Sequence, residues 1–227
     1  MRLATLAFAF LAGPLQAETI LTQRILMAAL TQPTARYDHA VLGDALEWGS
    51  LRIVTAQGEF VFRLPETRVF EDVEVRVADV DGQPGSEVVV VETDLALGAS
   101  LAIYGPEGKI AATPFIGQTH RWLAPAGIAD FDGDGRTEIA YVDRPHLLAE
   151  LVFVRLEEDK LVETLRLPGL TNHRIGDSFI SGGVRDCGQG AELVLASKDW
   201  TGVKRVHRNQ VTDLGPMPAA GLTIPAC

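Results

Sequence analysis

Between Asp130 and Val142 the chain reads DFDGDGRTEIAYV, an acidic turn followed directly by a short apolar strand. The same order of turn, acid and apolar run returns at residues 85–91 and 190–196, and more weakly at 36–42. The acids of the four copies are Asp38, Glu87, Glu138 and Glu192. A pattern that recurs at intervals of about fifty residues indicates a protein built from one small unit copied along the chain.

Each copy also carries further strands after the acidic turn. Residues 50–58 and 100–108 both form a short run that ends in a glycine-containing turn, and another short run follows. Alternating runs separated by polar turns predict strands and hairpins, and apart from residues 22–30 no stretch beyond the N-terminal segment keeps a helical period. With about four strands in each unit, the sequence predicts an all-β fold.

The predicted architecture is a single β-propeller domain over residues 18–227, with about four four-stranded blades. Radial packing protects strand edges in a propeller, and the repeat length suits one blade. Four units fit either a compact ring or a half-ring that forms a larger ring by dimerisation; a sandwich or solenoid of the same strands stays open. The predicted units are 20–66, 67–116, 117–169 and 170–215, followed by a tail at 216–227.

The N-terminal segment 1–17 reads as an export signal. Arg2 gives a positive start, residues 3–13 are apolar, and the segment ends on the small residue Ala17. A membrane-spanning helix needs about 20 apolar residues, so this run is too short to be one. We therefore predict cleavage after Ala17 and a product without a membrane span, periplasmic or extracellular; a buried N-terminal helix is the alternative.

Charge and cysteine content narrow the class of protein. Acidic side chains outnumber basic ones by 30 to 20, and the formal charge of −10 argues against a nucleic-acid binder. Hydrophobic residues make up 47% of the chain, enough for a buried core. In an oxidising compartment the two cysteines, Cys187 and Cys227, predict one disulfide that holds down the tail; free thiols or a bond to another chain are the alternatives.

The acidic turn at 130–138 has the residue spacing of a calcium loop. Oxygens at its positions 1, 3, 5 and 9 can converge on one hard cation, with the carbonyl of position 7 as a fifth ligand and a glycine at position 6 for the sharp turn. These ligands are Asp130, Asp132, Asp134, Glu138 and the carbonyl of Arg136. Because all of them are oxygens, the predicted ion is Ca2+ rather than a transition metal.

The other copies keep this ligand set only in part. The turn at 79–87 retains its first, second and last acids but has Pro84 in place of the turn glycine, so it is predicted as a weak or vacant site. Its ligands would be Asp79, Asp81, Gln83 and Glu87. In the turn at 184–192 two ligands are lost and Cys187 is present, so the disulfide is expected to replace the metal there.

The pattern of an apolar strand, the sequence ADFDGDGRTE and a second apolar strand resembles the FG-GAP or VCBS repeats. Those repeats build the β-propeller of integrin α subunits and many secreted bacterial proteins, and the resemblance covers most of residues 70–200. It implies calcium in a loop that joins two strands and stiffens a blade, without catalysis. The ligand roles carry over to 130–138 and, less closely, to 79–87. Integrin-like propellers have more blades than the four units found here.

An arginine precedes the first predicted strand of each unit. If those strands line the axis of a propeller, the four guanidinium groups form a positive mouth for an anionic ligand or a protein partner. The residues of this predicted mouth are Arg24, Arg68, Arg121 and Arg174, with His120 and His173 beside them. The alternative is that each arginine pairs with an acid of a neighbouring blade and only stabilises the structure.

The sequence contains no nucleophile elbow, zinc-protease motif or glycine-rich phosphate loop, and its five histidines lie singly. It therefore predicts a calcium-stabilised, exported propeller that acts as a non-catalytic binding or scaffold module for a protein, a glycan or a small anion. One alternative is a glycan-cleaving hydrolase or lyase with its site in the axial channel, for which Asp177 near His173 is the candidate acid. Another is a subunit of an envelope complex without a small ligand.

Overall fold

The computed structural model describes residues 24–43 and 46–227, and within these ranges the chain forms strands, turns and loops but no helix. Its 17 described strands, numbered β1 to β17 in chain order, form three sheets in which every neighbouring pair is antiparallel. The predicted all-β class is confirmed. The predicted export signal lies outside the described residues.

The first sheet has eight strands arranged in two halves. In one half β2 lies between β1 and β3, and in the other β6 carries β4 and β5 on one edge and is followed by β7 and β8. A single pair, Trp48 opposite Phe70, joins β2 to β4. The strands are β1 (Ile25–Thr34), β2 (Glu47–Thr55), β3 (Gly58–Arg63), β4 (Arg68–Phe70), β5 (Arg76–Ala78), β6 (Glu87–Asp94), β7 (Gly98–Gly105) and β8 (Gly108–Ala112).

The second and third sheets repeat the arrangement of that second half. In the second sheet four strands follow one another as a meander: β9 (Leu123–Ala129), β10 (Glu138–Asp143), β11 (Glu150–Glu157) and β12 (Lys160–Pro168). In the third, β13 (Leu170–Thr171) and β14 (Gly183–Asp186) both pair with β15 (Ala191–Ser197), and β16 (Gly202–His207) and β17 (Gln210–Pro216) follow. β11 forms a hairpin with β12, and β16 forms one with β17.

The sheets pack face to face, and this explains the continuous apolar runs in the sequence. Every residue of β10 is buried, because Ile139 and Tyr141 lie in a cluster shared with the first sheet, whereas Ala140 and Val142 lie in a cluster shared with the third. A third cluster lies between the two halves of the first sheet. A strand covered on both faces needs apolar side chains at successive positions, which removes the alternation of a half-exposed strand.

Two expectations about the first unit are wrong. Residues 36–42, taken as a weak copy of the acidic turn and strand, belong to the loop between β1 and β2, and the helical period at 22–30 instead overlaps the strand β1. The stretch 36–42 has the right residue types, but Tyr37, Val41 and Leu42 are buried as loop residues packed on neighbouring units.

The strand directions place two groups of loops at opposite ends of the sheets. Because β9 begins at Leu123 and ends at Ala129, the turn at 130–137 lies at one end of it and residues 119–122 at the other. The turn at 79–86 lies at the same end of its own sheet as 130–137 does. The loop at 144–149 begins where β10 ends, at the end occupied by residues 119–122. The segment 172–182 interrupts the edge of the third sheet between β13 and β14, and its His173 contacts Trp122 and His146 at that same end.

Candidate functional site

The loops at 79–87 and 130–138 fold in the same way. In each, the main-chain N–H of the second residue donates to the last acid, and two further N–H groups donate to the first and second aspartates. The six bonds measure 2.7–3.0 Å. The donors are Val80, Gly82 and Gln83 in one loop and Phe131, Gly133 and Asp134 in the other. The two loops are therefore copies of one turn, as their sequence spacing predicts.

Each of the two loops gathers three carboxylates that could share one ion. In both, one oxygen from each of three acids lies within 4.8 Å of the other two. The groups are Asp79, Asp81 and Glu87, and Asp130, Asp132 and Glu138. Carboxylate oxygens this close are suited to a hard divalent cation. Asp134 is not part of the second group, and its carboxylate accepts the main-chain N–H of Arg136 at 2.9 Å.

The guanidinium of Arg155 lies among the carboxylates of the loop at 130–138. It donates to Asp134 at 2.8 Å and to Asp132 at 3.0 Å, and it also contacts Glu138. The exposed fraction is 8% for the Arg155 side chain and 2% for that of Glu138. Burial opposes the charge of Arg155, but the hydrogen bond and charge of Glu138 outweigh it and raise the pKa of Arg155 above its usual range. The chain thus supplies a cation of its own to this loop.

The loop at 79–87 has no such arginine in the corresponding place. Val88 pairs with Tyr104 as Ile139 pairs with Val154, so the counterpart of Arg155 is the next residue of β7, Gly105. A cavity of about 430 Å³ opens there, lined in part by Asp81, Glu87 and Gly105. Burial, together with the nearby carboxylates of Asp81 and Asp79, raises the pKa of Glu87. This loop keeps its excess negative charge.

The third copy of the turn, ending at Glu192, is held by arginines and by the disulfide. Glu192 accepts from Arg185 at 2.5 Å and lies 3.6 Å from Arg205. Cys187 is bonded to Cys227, with their Cα atoms 5.5 Å apart, and the predicted disulfide is confirmed. The disulfide and two arginines therefore hold this turn, which lacks the group of three carboxylates found in the other two.

The arginines of the predicted mouth each have their own surroundings. Arg68 pairs with Glu92 at 3.0 Å and Asp94 at 3.5 Å. Arg121 donates to the carbonyl of His120, Arg174 stacks on a tryptophan ring 4.2 Å away, and Arg24 is exposed beside the start of β1. The ion pairs of Arg68 match the structural alternative considered for these residues. For the partly exposed Arg121 and the exposed Arg174, the binding role stays a prediction.

Four of the five histidines, which are isolated in the sequence, come together in the structure. His39 lies with its Nδ1 2.6 Å from Glu71 Oε1, and its ring centre is 5.2 Å from that of His120. His120 Nε2 is 2.9 Å from Asp38 Oδ1. Burial raises the pKa of Glu71, although the hydrogen bond with His39 opposes this. The remaining two members of the cluster are His146 and His173.

His146 and His173 contact each other directly. His146 Nε2 is 2.9 Å from His173 Nδ1, and His173 Nε2 is 2.8 Å from the main-chain oxygen of Asp177. Burial, followed by the charges of the His173 and His39 rings, lowers the pKa of His146 to about 4. The contact between His173 and Asp177 therefore involves a main-chain carbonyl and not the carboxylate that an acid–base pair would use.

Sequence spacing gives no sign of this histidine cluster, because its members come from loops of three different sheets. Only their shared position at the ends of strands, opposite the acidic loops, could have indicated it.

Comparison with protein-family models, with curated proteins and with solved structures finds no match. Among the described residues, no helix has the length and apolar character that crossing a membrane requires.

Proposed function

We propose that this protein is an exported, calcium-stabilised repeat protein of the VCBS or FG-GAP type that acts as a non-catalytic binding or scaffold module. The observation that carries the proposal is the common geometry of the loops at 79–87 and 130–138, which each collect three carboxylates between two strands. The repeats that this sequence resembles hold calcium in such a loop. A calcium loop of this kind stabilises the sheet that contains it and needs no catalytic group.

A β-propeller is the architecture that we infer from the sheets. Four antiparallel units follow one another along the chain, and a buried apolar cluster lies between each unit and the next. The units are β1–β3, β4–β8, β9–β12 and β13–β17. Within the described residues the first unit has three strands, one fewer than a full blade. The first and last units also meet, since the N–H of Gly176 donates to the carbonyl of Val41 at 3.3 Å.

Calcium is the ion that suits both loops, because every candidate ligand is an oxygen. At 130–138 the ion would have to compete with the guanidinium of Arg155 for Asp132 and Glu138. At 79–87 it would meet carboxylates next to an open cavity and no guanidinium. Hence the two loops should differ in affinity, even though their main-chain geometry is the same.

A thermal melt of metal-free protein with added calcium tests this proposal. Calcium at one hundred times its dissociation constant stabilises the folded state by about 2.7 kcal/mol, which for a chain of this length raises the melting temperature by about 5–11 °C. We expect Asp79→Asn combined with Asp81→Asn to remove one binding event in calorimetry, and Asp130→Asn combined with Asp132→Asn to remove another. The matched control is Glu158→Gln with Asp159→Asn, on a turn without a candidate site. Equal melting in calcium and in chelator would refute calcium stabilisation.

The binding role is proposed for the end of the molecule that carries Arg121 and Arg174. Arg174 is exposed and Arg121 is partly exposed, and each directly follows a member of the histidine cluster in the chain. Guanidinium groups bind carboxylate and phosphate oxygens well. We expect titration with phosphate and citrate to give saturable binding that Arg121→Glu and Arg174→Glu weaken while the melting temperature stays unchanged. Arg63→Glu, an exposed arginine on β3, is the control. Loss of folding in the two variants would instead show a structural role.

Export is supported by the disulfide between Cys187 and Cys227, which suits an oxidising compartment. The test is the intact mass of protein recovered from periplasmic and culture fractions. We expect a product that begins at Glu18. A product that retains Arg2 and the apolar segment would contradict cleavage after Ala17.

A further inference from the structure

Glu87 carries a buried negative charge that the chain does not neutralise. The residue is 7% exposed, and its Oε2 atom accepts the main-chain N–H of Val80 at 2.9 Å. Among residues 24–43 and 46–227, no donor reaches the Oε1 atom and no basic side chain pairs with the carboxylate. A charge buried without a partner is costly, so the folded protein gains from a cation that enters this place from outside.

The corresponding place in the second sheet is filled by a guanidinium group of the chain itself. There Arg155 contacts the last acid and the second aspartate of the loop at 130–138. The counterparts of these three residues are Gly105, Glu87 and Asp81, and all three line the cavity of about 430 Å³ beside the loop at 79–87. Glycine at this position therefore leaves both the carboxylates and the space beside them to a ligand.

The walls of the cavity suit a cationic group at the end of an apolar stem. Phe60, Pro106 and Ile110 contribute apolar surface, and Phe60 belongs to β3 in the other half of the first sheet. A guanidinium group stacks on aromatic rings, and the methylene groups of an arginine pack on apolar side chains. None of the lining residues is basic, and Glu107 adds a third carboxylate. A single metal ion would leave most of this space unfilled.

We propose that this cavity binds the side chain of an arginine from a protein partner, with the guanidinium group between Glu87 and Asp81. The guanidinium would donate to both carboxylates, as that of Arg155 does to the corresponding acids. Free arginine fits less well, because its own carboxylate would approach Glu107 in a lining without basic residues. The inference rests on the proposed role as a binding module, and it adds a partner site at the end of the sheets opposite the histidine cluster.

The test is an NMR titration of isotope-labelled protein with N-acetyl-arginine amide. It is done in chelator, because calcium would use the same carboxylates. We expect saturable shifts at the amides of Glu87 and Gly105, and weaker binding of free arginine. The corresponding citrulline compound, which has the same shape without the charge, should not bind. Equal binding of free arginine would overturn the assignment to a protein partner, and equal binding of the citrulline compound would overturn recognition of the guanidinium charge.

Variants locate the site. Glu87→Gln keeps an acceptor for the N–H of Val80 and should weaken binding at least about tenfold, as expected for loss of a charge-assisted hydrogen bond. Gly105→Arg fills the cavity with a guanidinium of the chain and should abolish binding. The control Glu158→Gln, on the corresponding turn of the second sheet, should bind as the parent does.

Two results would refute the inference: no saturable binding by the parent, or binding that survives Gly105→Arg. The calcium melts described above separate this failure from that of the proposed function. A calcium response without arginine binding would refute the arginine site alone, whereas arginine binding without a calcium response would refute calcium stabilisation alone.

Discussion

Replacing Arg155 by methionine removes the only cation that contacts the carboxylates of the loop at 130–138 among the described residues. Removing one member of a buried ion pair costs about 3–5 kcal/mol, because the partner stays buried and uncompensated. The side chains of Asp132 and Asp134 are 35% and 44% exposed, so water screens their charges. Only the buried charge of Glu138 contributes its full cost to the loss of stability. We therefore take the lower end, about 3 kcal/mol, which corresponds to a loss of about 6–12 °C in melting temperature.

The assay is a thermal melt of Arg155→Met in chelator and again in calcium. With the guanidinium gone, the freed carboxylates should bind calcium more tightly, so calcium should restore most of the loss in the variant. Arg166→Met is the matched control, since Arg166 pairs with three acids of the same sheet outside the loop and its loss should not respond to calcium. A fall in melting temperature that calcium leaves unchanged would refute competition between Arg155 and the ion.

The reciprocal change is Gly105→Arg, which places a guanidinium opposite Glu87. A side chain at this position would approach only the flexible end of Ile110, at 3.2 Å, so the strand should accept it. We expect the variant to lose the calcium response of the loop at 79–87 and to keep that of the loop at 130–138. An unchanged response of both loops would show that the residue opposite the last acid does not control binding.

Three further changes probe the fold. Burial raises the pKa of Glu71, so its contribution to stability is present below its ordinary pKa of about 4.3 and is lost as the pH rises through the folded-state pKa. Glu71→Gln should flatten that fall in denaturation curves taken from pH 4 to 7, and an unchanged fall would assign it to another group. Cys187→Ser with Cys227→Ser should lower stability by at most about 4 kcal/mol and open the tail to proteolysis; a tail that resists protease would contradict this. Gly127→Ala would place a methyl group 2.2 Å from Val184 and should cost about 1–3 kcal/mol in urea unfolding, whereas an unchanged midpoint would show that β9 and β14 can separate.

The strands and the acidic turns were predictable because their signals are local. An apolar run such as 139–142 is a strand whatever packs on it, and glycine or acidic residues mark the turns beside it. The disulfide was equally accessible, since two cysteines allow one pairing. The stretch 36–42 shows the limit of this reasoning, because loop residues that are buried by other units have the same composition as a strand.

The contact between Arg155 and Glu138 and the histidine cluster were not predictable, because they depend on strand register and on long-range packing. Arg155 reaches Glu138 only because β10 and β11 pair with Ile139 opposite Val154, and one residue of slip would turn its side chain to the other face. The histidine cluster needs loops from three sheets to meet at one end of the molecule. Neither arrangement leaves a spacing that a reader of the sequence could recognise.

In the three units that contain the copied turn, the charge of its last acid is balanced in different ways. A last acid at the start of the second strand accepts the N–H that closes the turn, so it is buried and its charge needs a partner. Glu138 has Arg155, and Glu192 has Arg185 and Arg205, but Glu87 lies opposite a glycine and beside a cavity. Two copies therefore carry their cation in the chain. Of the two loops that gather three carboxylates, the one at 79–87 matches the calcium sequence pattern less well, yet it has the greater need of a cation from solution.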